Sequence, residues 1–360
     1  MACKVQKAER LSGKSTCGVF DMSDRRMFSA REESVHEVFS EKRYIIPYYQ
    51  RPYSWLKENA VAIWDDLYTA WQQEGFEGAG YFLGSVVLVK SLDREEIVDG
   101  QQRFITLQLL LSAVAHHLDS QDLQRKLTRY FISEEDEFAG TKAEMVVLPG
   151  NRYEPVLERI LKADLTGDFD GQVARRYLEN YEVFSERCKT LSEAELAEFA
   201  KYILQNSYIA TLRAEDQLHA LRIFAILNDR GIDLHPVDIL KANILEKLSV
   251  SESQKIKFAE SWEEYEEKLD RKRFQDLIGH IRMTYIRART QNPLHEDLLE
   301  RLTTAKHAET FLKEELPSFV KAFDHILNTD DVNVRNLAEI GRRAGFKDWE
   351  APALFAARKR

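Results

Sequence analysis

Asp99-Gly100-Gln101-Gln102-Arg103 is the stretch whose residue types and spacing suit chemistry on an anion. The short apolar run Ile97-Val98 before it reads as a strand, and Phe104, Ile105, Leu107, Leu110, Leu111 and Val114 after it recur at helical spacing. The turn between them carries a glycine, which permits a tight backbone and close approach of a ligand. Gln101, Gln102 and Arg103 therefore open a helix, where free N–H groups and the positive dipole end favour phosphate-like groups. Arg103 adds a planar, permanently charged fork for the same oxygens. The plainer alternative makes Asp99 an N-cap and Arg103 a solvated first-turn charge.

Three other stretches bear on that choice. Pro47-Tyr48-Tyr49-Gln50-Arg51-Pro52-Tyr53-Ser54-Trp55 is dense in aromatics and bracketed by prolines, which fix φ and discourage helix. It reads as a rigid extended loop whose tyrosines, Trp55, Gln50 and Arg51 either form a recognition surface or plug a core edge. In Phe224–Lys241, Asn228 and Gly231 stop one helix, and Asp233 or His235 with Pro236 starts the next. Asp238 and Lys241, one turn apart, are placed to pair on its surface. Between 271 and 289, Arg271, Lys272, Arg273, Arg282, Arg287 and Arg289 face Asp276 alone. In a chain of net charge −9 this local surplus is the candidate contact to a nucleic-acid backbone, or a solvated basic helix face.

The elements that position these residues follow from periodicity. Ser29–Ser40 reads as a short amphipathic helix with Val35, Val38 and Phe39 inward, and strands are expected near 43–46, 82–98, 144–148 and 207–212. The strand pair inside 82–98 forms a hairpin that leads into the Asp99 turn. Ser54 is the expected N-cap of a helix running to about Gln73, with Trp64, Leu67 and Trp71 on its apolar side. Helices follow at about 152–163, 172–189, 192–205 and 214–227, and from about 250 the chain reads as helix throughout. The class is α+β with a largely helical C-terminal region.

Composition narrows the function classes. With 360 residues, 44% hydrophobic and 31% charged, the chain is ordinary globular protein of two or three core-sized units. The acidic balance excludes a general polyanion binder, and three scattered cysteines exclude a disulfide framework or zinc site. The histidines give no legible nuclease metal site, and no metal-ligating set is assigned. No apolar run suits a signal peptide or a membrane span, so the expected home is the cytoplasm. Residues 1–27 read as a flexible arm. Its Ala8-Glu9-Arg10-Leu11-Ser12-Gly13-Lys14-Ser15-Thr16 fits a relaxed phosphate-loop pattern, but no apolar strand precedes it, so it is set aside.

Three motifs stand in order: Ile46-Pro47-x-Tyr49-Gln50-Arg51-x-Tyr53-x-Trp55; Val98-Asp99-Gly100-Gln101-Gln102-Arg103-Phe104-x-Thr106-Leu107; and Phe224-x-x-Leu227-Asn228-x-Arg230-Gly231-x-x-Leu234-x-x-x-Asp238-x-x-Lys241. With Phe82-Leu83-Gly84-Ser85 they resemble the N-terminal domain of GmrSD-type modification-dependent restriction enzymes, shared with SspE-like phosphorothioate-sensing factors. The likeness is firm over about 30–245. It departs at Phe104-Ile105, where the family has leucine and threonine. The resemblance implies a ParB/sulfiredoxin-like core, placed here over 28–248, that binds and hydrolyses an NTP (GTP or ATP) with Mg2+; the unit over 249–360 is read as helical from its own periodicity. It implies Asp99, Gln102 and Arg103 in catalysis, with Asp99 positioning a metal ion or the attacking water. Gly100, Gln101, Gln50, Arg51, Asn228, Arg230 and Lys241 are then nucleotide contacts. Tyr49, Gln50, Tyr53 and Trp55 are the alternative readers of modified DNA, with Arg271, Lys272, Arg273, Arg282 and Arg289 on its backbone. The implied partners are modified double-stranded DNA and a nuclease domain or subunit, no membrane, with homo-oligomerisation left open. A DNA-binding sensor with a regulatory, non-hydrolysing nucleotide site is the other function kept in view.

Overall fold

The computed structural model describes residues 28–358, apart from 41, 92, 136–139, 141, 229–235, 288–291, 329–331 and 345–348. The Gly13-Lys14-Ser15 pattern therefore lies outside the described residues. Six strands, β1 (Phe28–Ser34), β2 (Tyr44–Ile45), β3 (Tyr81–Val89), β4 (Glu95–Asp99), β5 (Val147–Leu148) and β6 (Ser207–Ala214), form one mixed sheet in the order β1-β6-β3-β4-β2-β5. β1 with β6 and β3 with β4 are antiparallel, while β3–β6, β2–β4 and β2–β5 are parallel. The nearly unbroken apolar run of β3 has its cause here. Val86 and Leu88 enter the main core, whereas Val87 and Val89 meet Val98, Ala214, Ala220 and Phe224 on the opposite face.

Helices cover both faces. On one side lie α1 (Val35–Phe39), α2 (Lys57–Glu74), α3 (Gln101–His116), α4 (Gln121–Thr128), α5 (Glu154–Leu161), α6 (Gln172–Cys188) and α7 (Glu193–Asn206); α8 (Gln217–Asn228) covers the other. α9 (Pro236–Lys247), α10 (Glu252–Leu269), α11 (Arg271–Ile286) and shorter helices from Leu294 to Arg358 close a second core around Trp262, Phe274, Leu277 and Phe323. The architecture is α+β with a helical C-terminal region. α3 is walled in: every residue from Gln101 to Ala115 except Arg103 is buried. Its position, and with it that of the Asp99 turn, is set by packing on all sides.

Two expected elements differ. Ser29–Ser40 is not one helix. Phe28–Ser34 pairs antiparallel with β6, and the helix begins at Val35 behind a capping box of Ser34 and Glu37. α2 starts at Lys57 with Leu56 at the N-cap, where Asn59 Oδ1 accepts the Leu56 N–H at 2.9 Å; Ser54 stands two residues before the cap position, its N–H held by Gln102.

Candidate functional site

Gly100 ends β4 at φ +96° and ψ 5°, a left-handed conformation suited to glycine. A Cβ there would sit 2.4 Å from Val86 Cγ1, so the turn is pressed flat against β3. The first intrahelical bond of α3 runs from Phe104 N to Gly100 O at 3.0 Å. The N–H groups of Gln101, Gln102 and Arg103 precede it and have no acceptor within the helix. Arg103 donates from Nη1 to Ser85 O at 2.7 Å, and a Cβ on Gly84 (φ +98°) would meet its Nη2 at 2.8 Å. A glycine inside a strand is the sequence sign of such a close approach.

The two glutamines face the aromatic loop. Gln101 Nε2 donates to Arg51 O at 2.9 Å. Gln102 Oε1 accepts the N–H of Ser54 at 2.7 Å and of Trp55 at 3.2 Å, and its Nε2 donates to Pro52 O at 3.3 Å. Gln50 Nε2 returns the grip on β4, donating to Val98 O at 2.8 Å and Ile97 O at 3.2 Å. Loop and turn are thus one hydrogen-bonded unit. Gln102, expected among the catalytic groups, has its acceptor committed to the loop backbone and holds that backbone in place. Tyr53 is buried, its hydroxyl 2.7 Å from Thr106 Oγ1 and accepting from Asn180 Nδ2 at 2.6 Å, so it anchors the loop from beneath. Neither Thr106 nor Asn180 was among the expected site residues; they emerge only as the partners that the buried Tyr53 hydroxyl takes in the fold.

Asp99 and Arg51 stand at the junction of turn and loop. Burial raises the Asp99 carboxyl above its ordinary range, against the pull of the Gly100 N–H, Arg103 and Arg51. Burial and neighbouring Arg271 lower Arg51, while Asp238, Asp99 and Glu266 support its charge. Among the described residues the Arg51 guanidinium has no hydrogen-bond or ion-pair partner. An arginine so placed has its donors available to an incoming anion.

The second segment contributes differently. Lys241 is 2% exposed and donates to Glu263 Oε1 at 3.1 Å, inside the second core. Asp238 accepts from Arg271 Nη2 at 2.6 Å. The expected surface pair of Asp238 with Lys241 is therefore replaced by two pairs that tie α9 to α10 and α11. Arg230 and Arg289 lie outside the described residues, as does the side chain of Asn228. Glu266, beside this cluster, is pushed up to about 7 by burial, which outweighs Lys241 and Arg271.

The arginine-rich stretch is largely neutralised from within. Arg271 pairs with Asp238, Arg273 with Asp276 and Glu350 (both 3.3 Å), and Arg282 approaches Asp297 at 3.7 Å. Arg287 lies over the Phe355 ring at 5.6 Å. Lys272 is exposed. Of the expected backbone-contact residues, Arg271, Arg273 and Arg282 thus also knit α11 to its neighbours. Among the described residues no three His, Cys, Asp or Glu side chains are grouped to hold a metal ion.

Tyr48 and Tyr49 stand edge to face, ring centres 5.9 Å apart, on a cavity of about 570 Å3 between the two cores. Tyr49 Oη accepts from Gln217 Nε2 at 2.5 Å. Glu96, Glu154, Glu252 and Glu260 share the lining with Arg152, which is itself held by Glu264 at 3.0 Å and Glu267 at 3.2 Å.

The GmrSD restriction endonuclease N-terminal domain matches residues 35–245, more than half of the chain, including the turn, the loop and α9 as far as Leu245. The chain belongs to this family. No curated protein matches the chain. The GmrSD-type match supports a role in a restriction system. Among the described residues no helix is long and apolar enough to cross a membrane.

Proposed function

We propose that this GmrSD-type chain is the NTP-binding and hydrolysing sensor of an antiphage restriction system, coupling recognition of modified double-stranded DNA to a nuclease domain or partner. The observation that carries this reading is the Asp99–Arg103 turn. It joins a flattened glycine, three helix N–H groups without intrahelical acceptors, an anchored Arg103 and the Arg51 guanidinium, unpaired among the described residues, in one place. Phosphate oxygens of GTP or ATP take the N–H groups and the Arg103 fork, and Arg51 closes on them from the loop. Asp99, the one carboxylate of the turn, orients the attacking water and accepts its proton as the water bonds to the terminal phosphorus and the bond to the bridging oxygen breaks. A single carboxylate together with substrate phosphates is a donor set that suits Mg2+, which supplies charge neutralisation when bound. The ParB/sulfiredoxin-like reading of the core belongs to the same proposal.

A purified chain with Mg2+ and a panel of NTPs, with and without phosphorothioated or base-modified duplexes, tests it. Hydrolysis that Arg51→Ala abolishes without lowering the unfolding midpoint is expected, and Arg103→Ala should abolish it with some loss of stability from the broken bond to Ser85 O. No turnover of any NTP, with both variants behaving as the parent does, would refute it.

The tyrosine-lined cavity favours a second element, a sensor that reads a base. Its four glutamates repel a phosphate or phosphorothioate backbone but accept the N–H donors of a base or its substituent. Discrimination between base-modified and plain duplex that Tyr49→Ala removes, without nucleotide turnover in the parent chain, is the result expected of a pure sensor with a regulatory nucleotide site.

A further inference from the structure

Beyond the far end of α3, a second cavity of about 480 Å3 opens between α1, α4 and α7. That volume falls in the range of small-molecule sites. α3 has 16 residues, so its C-terminal end lies about 24 Å from the Asp99 turn along the helix axis. The floor is apolar: Leu118, Leu127 and Ala200 belong to the main core, with Leu204 partly buried beside them.

Among the described residues the rim has one sign of charge: Lys126, Arg129 and Lys201 line the cavity and no described aspartate or glutamate does, in a chain of net charge −9. Lys126 shares its ammonium with Asp122 at 2.5 Å. Lys201 lies over the Phe76 ring at 4.9 Å, and neither it nor Arg129 has a carboxylate within ion-pair distance among the described residues. His36 Nδ1 stands 2.7 Å from Tyr130 Oη, fixing a polar pair at one wall. Apolar floor, cationic rim and moderate volume together specify the complement: a compact aliphatic or aromatic body carrying one anionic end.

We infer that this cavity is a binding site for a small anionic amphiphile, its apolar body on Leu118, Leu127 and Leu204 and its anionic end on Arg129 and Lys201. The site is separate from the turn and its occupancy does not depend on a nucleotide.

Dodecanoate and dodecyltrimethylammonium share a tail and differ in the sign of the head, so titrating each calorimetrically into the full chain, below micelle formation, tests the inference. One-to-one binding of dodecanoate at least ~tenfold tighter than of its cationic twin is expected. Dodecyl phosphate separates a carboxylate preference from a phosphate preference at the same rim. Arg129→Glu with Lys201→Glu changes two exposed side chains and should leave the unfolding midpoint in place while weakening dodecanoate at least ~tenfold. Ala197→Trp, which fills the cavity, should remove binding of either anion; added ATP or GTP should not compete. Equal binding of the two twins, no binding of dodecanoate or dodecyl phosphate, or undiminished binding by the charge-reversed variant would overturn it.

Discussion

Replacing Lys241 by methionine separates a structural lysine from a nucleotide ligand. Lys241 and Glu263 are each 2% exposed and joined at 3.1 Å through Oε1, and Glu263 Oε2 has no hydrogen-bond partner among the described residues. Burial already raises Glu263 above the ordinary carboxylate range in spite of Lys241. Removing the lysine leaves an uncompensated buried carboxyl, which costs about 3–5 kcal/mol. Replacing both partners by apolar residues of similar volume is close to neutral, because the desolvation of both charges goes with them. Lys241→Met alone should therefore lower the urea midpoint strongly at unchanged slope, and Lys241→Met with Glu263→Met should recover to within about 1–2 kcal/mol of the parent. If the lysine is purely structural, the double variant keeps nucleotide binding. If it reaches a phosphate, the double variant is stable but binding is lost. A single variant costing under about 1 kcal/mol, or single effects that add in the double, would refute the pairing argument.

Glu266 should make stability fall as pH rises. Its carboxyl is held at about 7 in the fold against 4.5 ordinarily, so the stability conferred by the neutral form is complete below about pH 4.5 and is lost as pH rises through 7. Glu266→Gln should gain on the parent by on the order of 3 kcal/mol between those limits, measured as the difference in urea unfolding across a pH series; parallel profiles would exclude the effect. Gly100→Ala should cost about 2–4 kcal/mol, part from the left-handed backbone and part from contact with Val86. In a double-mutant cycle with Val86→Ala the contact part should appear as a favourable coupling above about 0.5 kcal/mol, and strict additivity would count against it.

Periodicity was a sound guide where one pattern covered one element. The buried hairpin, α3, and the helices 172–188 and 193–206 all lie close to where apolar spacing puts them. It was misled at β1, an edge strand that carries mostly polar residues. There Glu33 is buried because Lys42, Thr211 and Arg213 hold it, keeping its carboxyl down at about 2, and such long-range neutralisation has no local signature. The Ser34–Glu37 spacing did mark the true helix start. The turn itself was legible from Gly100 and the apolar helix behind it. What was not legible was which partner each polar side chain would choose. Gln102 turns to loop backbone 48 positions away, and Arg271, Arg273 and Arg282 turn to carboxylates on other helices. Charge counting along a chain cannot see such folding-back.

The clasp of Gln50, Gln101 and Gln102 on backbone atoms has a consequence for divergence within a restriction system facing changing phage DNA. Because the loop's path is fixed through its main chain by side chains of a helix buried on all sides, Tyr48, Tyr49 and Trp55, half-buried against the two cores, can be exchanged for side chains of similar bulk without redrawing that path. The protein thereby separates a constant frame from the variable side chains carried on it. Relatives can then differ in those side chains while keeping the same turn.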